Sequence, residues 1–261
     1  MKKLTDQLIR NYCIKTARKL VTVPKLSGKH KIGKKFPTKL VFPNLLHSSK
    51  LGSRISEQEL RACFCLTLER SIDNELFYAL EPPTNTRMKK GTPMKTVGIS
   101  GNLDLCIYVK NKSKITRNVV VEFKHGNPTP YAVKNDILKL TNEDSSGLYF
   151  LHLDKVYNNT LTSSNKKDPT LIDKIINALT NKNVLKSQKR KQLTERFLVI
   201  AFVLPHYNRL LLKTIDVIDL RTKDKKLLKA NLKKQLNIHY QCDSKSKFDI
   251  IKKNGWQEVK L

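Results

Sequence analysis

Two short segments constrain this chain more than any other feature: Asn102-Leu-Asp-Leu-Cys-Ile-Tyr-Val109 and Asn118-Val-Val-Val-Glu-Phe-Lys124. Both are rich in β-branched and aromatic residues and read as strands. Strand side chains alternate faces, so Leu103, Leu105 and Ile107 share one side of the first segment, opposite Asn102, Asp104, Cys106 and Tyr108. In the second, Val119, Val121 and Phe123 face one way, and Val120, Glu122 and Lys124 face the other. Each strand therefore has one wholly apolar face and one face on which a charge interrupts the apolar run. The polar stretch Lys110 to Arg117 between them reads as the loop of an antiparallel hairpin. With the turn centred near residue 113, Asp104 stands opposite Glu122. Directly opposed Cβ atoms lie ~5 Å apart. Two ionised carboxylates at that spacing repel by ~3 kcal/mol at an effective dielectric of ~20. A hard divalent cation with oxygen ligands, Mg²⁺ or Mn²⁺, removes that repulsion. Lys124 then sits beside the ion.

The rest of the chain supplies layers around this hairpin. Ser56-Glu57-Gln58-Glu59 fits a capping box, and Leu60, Phe64, Thr67 and Leu68 follow at helical spacing, which predicts a helix over 56–71. Glu75 to Leu80 reads as a strand closed by Pro82-Pro83, and Arg87 to Gly91 as a cationic loop. A helix is expected over 131–140 and a strand over 148–153. Beyond these, helices are expected over 170–180, 184–195 and 222–236, and strands over 197–204 and 210–220. Helix–strand–strand–strand–helix–strand is the order of an α/β or α+β layer, not of a bundle or sandwich.

Charge is distributed unevenly. The 261 residues carry 51 Lys and Arg against 22 Asp and Glu, a formal charge of +29. Residues 1–50 hold 13 basic and 1 acidic side chains, and residues 181–236 hold 15 and 4, whereas residues 51–150 hold 14 and 11. Two basic lobes flank an acid-bearing centre, the distribution expected when the flanks grip a polyanion and the centre presents carboxylates. The longest purely apolar run, Phe197 to Leu204, is far short of the ~20 residues of a spanning helix. The first ten residues show no apolar signal region. The reading is therefore of a protein without membrane contact, placed in the cytoplasm, or at the nucleoid if bacterial. Five cysteines with no C-x-x-C pair argue against zinc and for reduced thiols.

Asp104, 17 intervening residues, then Glu122-Phe123-Lys124 at the end of an apolar strand resembles the PD-(D/E)XK nuclease superfamily, which includes restriction endonucleases and Holliday-junction resolvases. Ser56-Glu57-Gln58-Glu59-Leu60 looks like the helix that supplies a further acid in the resolvase branch; Glu57 matches by position, while Glu59 is the natural member of the capping box. Leu103 stands where the motif's proline is named. The helix after Lys124 carries Lys134, Asp136 and Lys139 rather than the Gln and Tyr of the exonuclease branch. The likeness covers about 100 residues. It implies a restriction-endonuclease-like core over 51–155, a mixed sheet of four or more strands flanked by helices. A basic arm or subdomain (1–50) precedes it, and a basic extension (156–261) packs on it and extends its sheet.

What the resemblance implies for chemistry is metal-dependent hydrolysis of DNA, duplex rather than single-stranded, giving 5′-phosphate and 3′-hydroxyl ends. Asp104, Glu122, the Phe123 carbonyl and Glu57 would hold Mg²⁺, with Mn²⁺ as a substitute, and Lys124 would orient or deprotonate the nucleophile. Lys29, Lys31, Lys34, Lys35, Arg87, Lys89, Lys90, Lys139, Lys189, Arg190 and Lys191 would hold the phosphate backbone, and a homodimer is compatible with the resolvase likeness. Plainer readings exist for each residue. Glu122 and Lys124 also suit a surface ion pair, Glu57 also suits a helix N-terminus, and Asp136 with Lys139 suits an i,i+3 pair. His125 reads as an exposed loop residue and His152 as a core or edge histidine.

Overall fold

Phe197 to Leu204 is apolar at every position and buried at every position, which a strand achieves only when both sheet faces are covered. It is β8 (Phe197–Leu204) of a seven-stranded mixed sheet. The computed structural model describes residues 4–22, 56–71, 75–89, 92–94, 99–162, 169–181, 184, 196–221, 224–243 and 247–261. The sheet also contains β1 (Leu76–Leu80), β5 (Leu105–Asn111), β6 (Lys114–His125), β7 (Ser146–His152), β9 (Arg209–Asp216) and β12 (Gln257–Lys260), in the order β1-β5-β6-β7-β8-β9-β12. The β6-β7 and β7-β8 pairs are parallel, and the outer pairs are antiparallel. A small antiparallel sheet is built from β2 (Pro83–Lys89), β3 (Thr92–Met94) and β4 (Ile99–Asn102), and β10 (His239–Cys242) pairs with β11 (Phe248–Lys252).

Five helices among the described residues cover the two faces. The first two, α1 (Asp6–Thr22) and α2 (Glu57–Glu69), enclose a core with Leu105, Ile107, Val119, Val121, Phe123 and Phe150. On the other face α3 (Pro130–Asn142), α4 (Leu171–Leu179) and α5 (Lys225–Leu236) enclose a core with Cys106, Val120, Tyr149, Leu151, Ile200 and Phe202. Alternate residues of β6 thus enter opposite cores. Gly147 in β7 lets α3 settle close: a Cβ there would stand 3.0 Å from Leu198 Cδ1 and 3.3 Å from Leu140 Cβ.

The chain is therefore α/β, with the expected strands at 75–80, 197–204 and in the hairpin, and the expected helices at 56–71, 131–140, 170–180 and 222–236, each within a few residues. Several boundaries differ. The hairpin loop expected over 110–117 is a two-residue turn, because Asn111 pairs with Lys114 and Lys112 takes up φ 52°. Polar side chains there extend the strands on an exposed rim instead of leaving the sheet. Arg87 and Lys89 lie in strand β2, not in a loop. Leu103 precedes β5 and packs into the core on the α3 side, not with Leu105 and Ile107. Strand β9 ends at Asp216, and residues 217–221 form a 3₁₀ turn rather than more strand. Within the expected arm of residues 1–50, Asp6–Thr22 form α1, whose Ile9, Tyr12, Cys13, Ala17 and Leu20 are buried. The apolar period of this helix runs between lysines and arginines, which is why the segment reads as an arm. The reading of 184–195 as a helix lies, Val184 apart, outside the described residues. No helix among the described residues is long and apolar enough to cross a membrane.

Candidate active site

The parallel strands β6, β7 and β8 end at one edge of the sheet, and the crevice outside the carboxyl ends of parallel strands is where open α/β sheets place ligands. Four chain segments deliver charged groups there. The hairpin register extrapolated from sequence holds through Leu105↔Val121, Cys106↔Val120 and Ile107↔Val119, so Asp104, at the bend before β5, falls beside Glu122. One Asp104 carboxylate oxygen accepts a hydrogen bond of 2.7 Å from the Phe123 amide, which clamps the acid to β6. The Phe123 ring turns to the far side and meets Phe64 of α2 edge-on, with centroids 5.5 Å apart.

Glu122 is fully buried, on the α3 side, and both its oxygens accept hydrogen bonds from Lys139 Nζ at 2.9 and 2.8 Å. Burial pushes its carboxyl well above the ordinary glutamate value. The Lys139 charge opposes that rise, and the like charges of Asp104 and Asp136 add to it. Lys124 Nζ lies 3.5 Å from Glu57 Oε2 and 3.5 Å from Asp136 Oδ2. Burial works against the Lys124 ammonium, but Asp136, Glu57, Asp104 and Glu122 outweigh it and raise the lysine above its ordinary value. Lys139 behaves in the same way, through Glu122, Asp136 and Asp104. Both lysines therefore stay charged at neutral pH.

Glu57 is the first residue of α2, aimed at the sheet edge from the opposite face. The helix starts there because Ser56 caps it: the Gln58 amide donates to Ser56 Oγ at 3.2 Å, and the Ser56 amide donates to Glu59 Oε2 at 2.8 Å. Glu59 is thereby consumed by the cap, which leaves Glu57 as the helix acid that reaches Lys124.

Two groups in this cluster had no site role in the sequence reading. Asp136 reads from sequence as half of a helical ion pair with Lys139; that pair is present at 3.7 Å, but the side chain is only 6% exposed and also touches Lys124. Burial raises its carboxyl too, against the pull of Lys124 and Lys139. Tyr149 of β7 pairs in register with Glu122, is fully buried, and has no hydrogen-bond partner for its hydroxyl among the described residues. The available signal was parity: Asp136 lies one turn before Lys139, and Tyr149 alternates with the buried Leu148 and Phe150.

Of the residues read as backbone contacts, Lys139 is instead a partner of Glu122, so its ammonium is engaged inside the cluster. Arg87 and Lys89 are strand residues of β2. Lys29, Lys31, Lys34, Lys35, Lys90, Lys189, Arg190 and Lys191 lie outside the described residues. Within the basic lobe, α5 buries Leu228, Leu232 and Leu236 and exposes Lys225, Lys226, Lys233 and Lys234. All five cysteines are free thiols, and burial pushes Cys63 and Cys106 up to about 12.

The donor set suits a hard cation. Asp104, Glu122, Asp136 and Glu57 offer only oxygen, and the Lys139 ammonium against both Glu122 oxygens marks a place where the acids require positive charge. No family model, curated protein or solved structure matches the chain.

Proposed function

We propose that this protein is a metal-dependent endonuclease that hydrolyses DNA phosphodiester bonds. The reading rests on one observation: Glu57 and Asp136, from helices on opposite faces of the sheet, both meet Lys124 at 3.5 Å, beside Asp104 and Glu122. A plain surface ion pair does not need acids from four segments, and the like charges crowd the buried carboxyls of Glu122 and Asp136 at a cost to stability.

Asp104, Glu122, Asp136 and the Phe123 carbonyl would hold Mg²⁺, with Glu57 at its border. When bound, Mg²⁺ supplies Lewis-acid chemistry, making water a stronger nucleophile and neutralising charge on the phosphate. The protein's own residues divide the remaining work. Lys124, kept cationic by its acidic neighbours, stabilises negative charge as it builds on the phosphate oxygens and orients the attacking water. Its raised value argues against a role as the base that removes the water proton. Lys139 balances the Glu122 charge and keeps that carboxylate in place, where it would be available to hold the metal. The Asp104 hydrogen bond from the Phe123 amide fixes the acid before substrate binds, so little reorganisation is left for the reaction itself. The surplus of +29 and the exposed lysines of α5 suit backbone contact with DNA.

The test is a panel of linear duplex, four-way junction and single strand, incubated with Mg²⁺ or with EDTA. Internal cuts in duplex that appear only with the metal support the proposal. Binding without cutting on every substrate assigns a non-catalytic DNA-binding role instead. The Glu57–Lys124 contact favours a second reading, a structure-selective resolvase, and cutting confined to the junction would select it.

A further inference from the structure

Lys124 and His125 are consecutive and face opposite sides of β6. While Lys124 joins the acidic cluster, His125 takes Asp154 as its hydrogen-bond partner, with the charges of Glu57 and Glu59 also acting on it. It is in register with His152 of β7, and parallel neighbours ~4.8 Å apart bring like-facing side chains together. The two imidazoles stack with centroids 5.4 Å apart and planes inclined by 20°. Two residues past His152, Asp154 turns back: one oxygen lies 2.5 Å from His125 Nε2 and the other 3.3 Å from His152 Nδ1. Backbone bonds hold the geometry, since Gly126 N donates to the His152 carbonyl at 2.8 Å and Leu153 N donates to the Val203 carbonyl at 2.9 Å.

We propose that His125, His152 and Asp154 form a second metal site, for a borderline divalent ion such as Zn²⁺ or Co²⁺, separate from the carboxylate–lysine centre. One ligand atom from each residue falls within 4.8 Å of the others. Ligands of a tetrahedral ion at ~2.0 Å are spaced by ~3.3 Å, so modest side-chain rotation closes the set. Chemistry separates the two sites: two imidazoles and one carboxylate favour Zn²⁺ over Mg²⁺, whereas the all-oxygen centre favours Mg²⁺. Three protein ligands leave a tetrahedral ion with one open position, the pattern of reactive rather than closed structural sites. The Asp154 side chain is 51% exposed and lines a cavity of about 750 Å³ with Tyr157, His206 and Tyr207, so the carboxylate edge of the set is open to solvent. The inference does not depend on hydrolysis at the other centre.

The test uses the full chain carrying Asp104→Asn and Glu122→Gln, which disables the oxygen centre. Zn²⁺ alone is titrated calorimetrically, and Co²⁺ alone is followed by visible absorption. One ion per chain is expected, with the intense Co²⁺ spectrum of a four-coordinate nitrogen and oxygen field. Adding Asp154→Asn, or separately His125→Gln, should weaken Zn²⁺ binding at least tenfold; both residues are partly exposed, so neither change removes core packing. Absence of binding overturns the site, as does binding that both added substitutions leave unchanged. So does an ion bound by the wild type but lost on Asp104→Asn and Glu122→Gln alone, which would place it in the oxygen centre.

Discussion

Replacing Lys139 by Met isolates the electrostatics of the cluster. The ammonium sits 2.8 and 2.9 Å from the two Glu122 oxygens, and at an effective dielectric of ~20 the attraction at that range is ~6 kcal/mol before desolvation. Removing one member of a buried pair costs roughly 3–5 kcal/mol, because the other charge is left uncompensated. The Lys139 side chain is 19% exposed and Glu122 is fully covered, so the loss should fall near ~3 kcal/mol at pH 8. At pH 5 Glu122 can take up a proton instead of remaining a bare anion, and the loss should shrink to about 1 kcal/mol. The double variant Lys139→Met, Glu122→Gln should recover most of the difference at pH 8. Mg²⁺ at about 100 times its Kd should restore roughly 2.7 kcal/mol to Lys139→Met, because no ammonium competes for the acids. Urea unfolding at both pH values, with EDTA and with Mg²⁺, measures all four quantities. A loss below about 1 kcal/mol at pH 8, or the same loss at both pH values, would refute the reasoning.

Other consequences are open to measurement. Because burial raises Glu122 above its unfolded value, the folded state holds the extra proton, so stability should fall as pH rises from the ordinary glutamate range of ~4.3 through the raised value; Glu122→Gln should flatten that slope in urea titrations. Phe64→Ala removes a fully buried ring packed on Phe123 and Phe150, and should cost about 3–5 kcal/mol in chemical unfolding; it should also displace α2 and with it Glu57. Affinity for duplex DNA should fall by about 10³-fold between 50 and 200 mM salt; a flat response would deny the basic surface its role.

The sequence made the centre of the fold legible because alternation and register are short-range properties. The pairing of Leu105 with Val121 follows from the hairpin alone, and the capping box locates the start of α2 to the residue. The assembly around them depends on contacts distant in sequence. Asp136 reads as an ordinary helix residue until α3 settles on β7 over Gly147 and buries it against Lys124. Lys139 looks like one more surface lysine, and only the burial of Glu122 turns it inward. His125 and His152 read as unrelated residues, because parallel strands separated by a helical crossover give no local sign of their register. Helix α1 was hidden for another reason: its apolar stripe runs through a segment whose net charge reads as an arm.

The proposal turns on Asp104 serving cleavage, as a residue that would hold the metal, rather than folding or DNA capture. Single-turnover cleavage of duplex DNA with Mg²⁺, measured for the wild type and Asp104→Asn beside their DNA affinities, tests it. The account predicts a rate lower by about 10³-fold with affinity changed by less than about threefold. An unchanged rate, or a rate that falls only in step with affinity, would contradict it.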